Sequence, residues 1–201
     1  MTRSNVIACA AALAATAAAQ AGITSISNGG IFHASPPSTI GLPNNNQATV
    51  VQGFDEVQDL VLASPLSLFS YYTNSFVVLP AGTEISSHMV LFDPVQTASG
   101  QADVTFTEPI LGIIFEDLPL FNTHGLLGRP GVSYPGTNVN AYGFEATESA
   151  TLIGVFTLHF EATASNPGDR FRVITFPTPG AASLLALGGL VATRRRRSTT
   201  R

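Results

Sequence analysis

The 201-residue chain has no tryptophan, no lysine and a single cysteine, Cys9. Charged residues make up 11%, against roughly 25% in an ordinary soluble domain. So little charge argues against a coiled coil, which needs charged e and g positions. Hydrophobic residues at 45% argue against an acidic disordered chain, because there is enough apolar surface to bury. All nine basic residues are arginine, and no basic patch exists outside the extreme C-terminus, so a nucleic-acid partner is not expected.

The formal net charge of −4 conceals a segregation. All 13 acidic residues lie between Asp55 and Asp169, where Arg129, Arg170 and Arg172 are the only basic ones. An acidic body between cationic ends stays soluble and repels anionic polymers. Its carboxylates could gather divalent cations, but no tight ligand spacing accompanies them. The reading adopted is a solvated acidic surface with no metal and no cofactor.

The N-terminus has the order of an export signal. Met1–Asn5 is short and carries Arg3, Val6–Ala19 is apolar and alanine-rich, and Ala19-Gln20-Ala21 offers small residues at the −3 and −1 positions of a signal peptidase site. Cleavage is expected after Ala21. An Ala-rich helix of the mature protein is the competing reading, and the lack of a polar face speaks against it. Val6–Cys9 superficially matches a lipid-attachment box, but no hydrophobic stretch precedes it. Once residues 1–21 are removed no cysteine remains, which excludes disulfides, thiolate metal sites and a cysteine nucleophile.

The C-terminus is built in three parts. Thr175–Gly180 contains Pro177-Thr178-Pro179, a rigid, turn-prone junction. Residues 180–193 are apolar and uncharged, and Arg194, Arg195, Arg196 and Arg197 follow four residues from the end. Fourteen helical residues span about 21 Å at 1.5 Å each, short of the roughly 30 Å hydrocarbon core. Snorkelling arginines and local thinning can cover the difference. The arginine cluster favours a cytoplasmic end. Arg3 does the same for the start, leaving the middle outside.

This tail, Pro177 to Arg201, resembles the PEP-CTERM sorting signal of exopolysaccharide-producing bacteria, with Thr178 standing where that family has glutamate. The resemblance implies handling by an exosortase, a membrane-embedded cysteine transpeptidase-like enzyme, near Pro177, Thr178 and Pro179. A plain C-terminal membrane anchor is the alternative. Ser86–Pro94, Ile110–Ile114 and Gly168–Thr175 resemble a middle region of other proteins with such tails, and no functional residue is carried over from it.

The middle reads as all-β. Residues 22–47, rich in Gly, Pro, Ser and Asn, suggest a flexible arm. Between 48 and 176, β-prone runs separated by turn residues predict strands at 49–54, 57–63, 75–79, 87–92, 103–107, 110–115, 152–162 and 171–176. That spacing predicts an antiparallel β-sandwich, jelly-roll-like, flanked by an N-terminal signal helix and a C-terminal membrane helix.

Catalytic constellations are missing. Ser87-His88 is not a triad, because strand neighbours face apart and no G-x-S-x-G occurs. No histidine pair has zinc spacing. Asp55, Glu56 and Asp59 lack the calcium-loop pattern, Asp93 before Pro94 reads as a turn cap, and Asp169 with Arg170 and Arg172 reads as a turn with a surface ion pair. Tyr134 and Tyr142, in the Gly/Pro/Asn-rich stretch 128–143, are the best candidates for a ligand surface. The alternative is that they cover the sandwich edge. The expectation is therefore a non-enzymatic cell-surface or extracellular-matrix protein with signal peptidase, exosortase and the membrane as partners, and exopolysaccharide as a further one. A secreted carbohydrate- or calcium-binding β-sandwich module is the alternative.

Overall fold

The computed structural model describes residues 22–40, 47–134, 143–144, 148–165 and 168–177. The strands are β1 (Ile23–Ile26), β2 (Ile31–Phe32), β3 (Gln52–Asp55), β4 (Leu60–Val61), β5 (Leu66–Ser70), β6 (Ser75–Leu79), β7 (Glu84–Phe92), β8 (Ala98–Phe106), β9 (Ile110–Ile114), β10 (Ser149–Gly154), β11 (Thr157–Ala164) and β12 (Asp169–Thr175). Two short helices, α1 (Asp117–Asn122) and α2 (His124–Leu127), lie between β9 and β10. The fold is mostly β, as expected from the β-branched and aromatic runs. All the predicted helices beyond this body, residues 1–21 and 180–193, lie outside the described residues. Among those described, no helix is long and apolar enough to cross a membrane.

A four-stranded sheet runs β1-β8-β11-β10 and is antiparallel throughout. An eight-stranded sheet runs β2-β3-β7-β12-β9-β5-β6, with β4 also paired to β7. Its pairs are antiparallel except β2–β3, which is parallel. Strands β8 and β11 alternate buried and open positions in register, Val104 opposite Leu158 and Ala102 opposite Phe160, so one face is apolar. That face meets Val90, Phe92, Phe171 and Val173 of the larger sheet in one core. Phe171 anchors it, with the Phe144 and Phe160 rings each 4.9 Å away.

The central strands β7 and β12 are covered on both sides. All seven residues of β12 are buried. Their second face packs against Leu120 of α1, Leu127 of α2, Leu62 and Leu68, and against Ile40 and Phe54 in a neighbouring cluster. Helices of six and four residues are marginal alone, and this packing holds them.

Three sequence expectations need correction. Residues 23–26 and 31–32 are strands rather than a flexible arm, separated by a tight turn with Asn28 and Gly29 at positive φ. Residues 152–162 are a hairpin rather than one strand. The chain turns at Val155 and Phe156, whose carbonyls accept from Ile110 and Phe106, so two apolar residues disguise a turn. Asp169, Arg170 and Arg172 do not sit on a surface turn; they lie buried on β12, the strand paired with both β7 and β9.

Candidate functional site

Alternation along β7 and β12 sends polar side chains to both faces of the larger sheet. On the outer face, Arg172 and Glu56 form an ion pair with neither side chain exposed. Arg172 Nε donates to Glu56 Oε2 at 2.7 Å and Nη2 to Oε1 at 3.0 Å. The remaining guanidinium hydrogens go to Leu120 O, Thr123 Oγ1 and His124 Nδ1, each at 2.8 Å. All five donors of the fork are thus used. Glu56 also accepts from Ser87 Oγ and Tyr134 Oη, both at 2.7 Å. The network ties β7 and β12 to the helices and to the segment carrying Tyr134.

Since a guanidinium only donates, His124 Nδ1 carries no proton. Burial, followed by Arg172 and then Arg170, lowers the His124 pKa to about 3. The Tyr134 hydroxyl is held well above its ordinary range, mainly by burial and then by Glu56. Its ring stacks on His124, with centroids 4.7 Å apart. Tyr134 therefore serves the interior network, which is how the structure places it, while Tyr142 lies outside the described residues.

On the inner face, His88 Nδ1 is 2.8 Å from Asp55 Oδ1 and Nε2 is 3.0 Å from Thr175 Oγ1. The Thr175 hydroxyl donates to Glu108 Oε2 at 2.9 Å. Carboxylate, imidazole and hydroxyl in that order have the form of a nucleophile relay. The hydroxyl, however, is the buried end: Thr175 and His88 are both 0% exposed. A substrate cannot reach it. The open end is Asp55, which lines a groove of about 350 Å³ with Gly22, Ile23, Phe32, Ala34, Thr107 and Arg129.

Asp55, Glu56 and Asp59 do not converge. Asp55 serves Ile23 N and His88, Glu56 serves Arg172, and Asp59 sits in a positive-φ turn whose N–H donates to Ser86 Oγ. Among the described residues no three or more His, Cys, Asp or Glu side chains are grouped to hold a metal ion. Asp93 accepts from Gly168 N–H at 3.0 Å, and its carboxyl pKa is raised by burial against that bond and Arg170. The bond holds the chain just before β12, 75 residues further on. Of the positions expected from the sequence to act in sorting or cleavage, Pro177 ends the described body, and Thr178, Pro179 and Arg194–Arg197 lie outside it, as do Ala19 and Ala21.

Sequence reasoning missed His124, Thr175, Glu108 and the Glu56–Arg172 pair. The available signal was Arg172 itself, set between Phe171, Val173 and Ile174, since a charge among apolar strand residues needs a partner.

On the outward face of the small sheet, His159 Nδ1 is 2.6 Å from Asp103 Oδ1 and Nε2 is 3.1 Å from Glu161 Oε1. These hydrogen bonds, Asp103 first and then Glu161, raise its pKa. The two histidines should act on stability in opposite senses. His124 is charged more easily unfolded, so its contribution is present above about pH 6.5 and lost as pH falls toward 3. His159 is charged more easily folded, so its contribution is present below the ordinary histidine range and lost as pH rises through its raised folded pKa. Urea midpoints from pH 3 to 9 should show His124→Gln flattening the acid-side loss by about 1–3 kcal/mol. Asp103→Asn should remove the small stabilisation by His159. An unchanged acid limb in His124→Gln would contradict the assignment.

No family model, no curated protein and no solved structure matches the chain.

Proposed function

We propose that the chain is an exported surface or extracellular-matrix protein of an exopolysaccharide-producing bacterium, with a structural or adhesive role and no catalysis. In this reading residues 1–21 form a signal helix removed by signal peptidase. Residues 180–193 form a membrane helix that holds the precursor in the inner membrane, and an exosortase acts near Pro177, Thr178 and Pro179. The observation that carries it is the pair of terminal segments: an apolar run ending in Ala19-Gln20-Ala21, and a Pro-x-Pro, apolar run and Arg194–Arg197 at the other end. The absence of catalysis is supported by the body's side chains, since Ser87, His88, Arg172 and Thr175 are consumed by internal bonds. The outward positions of β8 and β11 carry Gln101, Asp103, Thr105, Thr157, His159, Glu161 and Thr163, a polar surface suited to hydrated neighbours.

Fractionation of cells with and without the exosortase tests this. The protein should reach the surface or medium in the first and accumulate in the inner membrane in the second. Equal distribution in both would leave only a plain anchor, and soluble cytoplasmic protein with both ends intact would refute export.

One observation favours a carbohydrate-binding module as a second reading. Phe69, Tyr71, Phe115 and Phe144 line a groove of about 460 Å³ that also includes Glu148. Aromatic faces with few polar groups suit sugar rings. Titration calorimetry against polysaccharides should then show heat that Phe115→Ala abolishes; no heat with polysaccharides removes this reading, and heat with calcium alone would favour a cation instead.

A further inference from the structure

We infer that the groove beside Asp55 is a receptor for the protein's own α-ammonium group, generated at Gly22 when the export segment is cut after Ala21. The inference rests on, and deepens, the export reading. Hydrolysis adds one water across the Ala21–Gly22 peptide. Ala21 departs as a carboxylate, and the Gly22 nitrogen becomes –NH3+, taking up the proton that the new carboxyl gives up.

Gly22 is already fixed where that group would form. Its N–H donates to Thr107 Oγ1 at 2.9 Å, and its carbonyl accepts from Thr107 N at 2.9 Å. The next N–H, of Ile23, donates to Asp55 Oδ1 at 3.0 Å. The other carboxylate oxygen, Asp55 Oδ2, stands 2.8 Å from the place a Cβ on Gly22 would occupy. Any residue but glycine would push against the carboxylate. An amide nitrogen has one hydrogen, and Thr107 takes it. An ammonium has three, which leaves two for Asp55 and the groove.

Asp55 on β3 and Glu108 after β8 flank a chain whose other members are His88 and Thr175. Arg129, the guanidinium in the groove, sends Nη1 to the backbone carbonyl of Asp55 at 3.0 Å. The Asp55 side chain is only 15% exposed, so an ammonium beside it is screened less than a surface pair. Export would thereby tighten the product: cutting the leader creates the charge that pins β1 against β3 and the Thr107 segment.

The absence of lysine gives an unusually clean test. With no ε-amines, the α-amine is the only aliphatic amine that an amine-reactive ester meets. Mature protein purified from the cell envelope is first weighed intact to identify its first residue, then labelled at neutral pH, folded and in urea. The expected result is Gly22 first, with labelling of the folded protein slower than in urea by about tenfold or more. Asp55→Asn should return the folded rate toward the urea rate, with far-UV circular dichroism confirming a folded chain. Thr107→Val provides a second, milder loss. If neither variant folds, the wild-type comparison alone decides. A first residue other than Gly22 overturns the cleavage reading and this inference together. Gly22 first with equal folded and urea rates overturns the inference and leaves export standing.

Discussion

Replacing Arg172 by methionine should destabilise the protein by about 3–5 kcal/mol, the usual result of leaving one member of a buried pair without its partner. The variant strands the Glu56 carboxylate between Ser87 and Tyr134 with no cation, and frees Leu120 O, Thr123 and His124 from their shared donor. The outer layer should loosen first, because this network adds to the apolar packing that fastens α1 and α2 to β12. The double variant Glu56→Leu/Arg172→Met should recover much of the loss, since two apolar groups remove the desolvation cost of both charges. Urea unfolding followed by circular dichroism measures both, the chain having no tryptophan to report by fluorescence. A single variant within 1 kcal/mol of wild type would mean that Glu56 is not left as a buried charge.

Phe171→Ala tests the opposite kind of contact. The ring is fully buried between the sheets, against Phe144 and Phe160. Its removal deletes apolar contact and leaves a cavity that two paired sheets cannot easily collapse, for a cost of about 3–5 kcal/mol. Val78→Thr on the edge strand β6, 65% exposed, should change stability by less than about 0.5 kcal/mol. Equal effects at the two positions would contradict the face-to-face packing of the sheets.

Strand content was legible where periodicity was strong and local. Ser75–Leu79 coincides with β6, and the predicted elements at 87–92, 103–107, 110–115 and 171–176 fall on β7, β8, β9 and β12 with shifted ends. β5 was missed although Leu66 and Leu68 flank the exposed Ser67 in strand alternation, and β1 and β2 were lost among turn residues. Those strands exist through long-range pairing, Ile23 opposite Phe106 and Ile31 opposite Gln52, which no local window contains. The polar networks were illegible for the same reason: Glu56 and Arg172 are 116 residues apart. Only the sheet register, by setting Arg172 beside Met89 and Ser87 on a shared face, brings them together.

The account depends on two terminal segments acting as addresses for a folded body that works outside the inner membrane. Intact mass of the protein recovered from the cell surface or medium tests this most directly. The account predicts a chain that starts at Gly22 and has lost residues 180–201 near Pro177–Pro179. A full-length chain carrying both Met1 and Arg201, recovered from the cytoplasm, would contradict it.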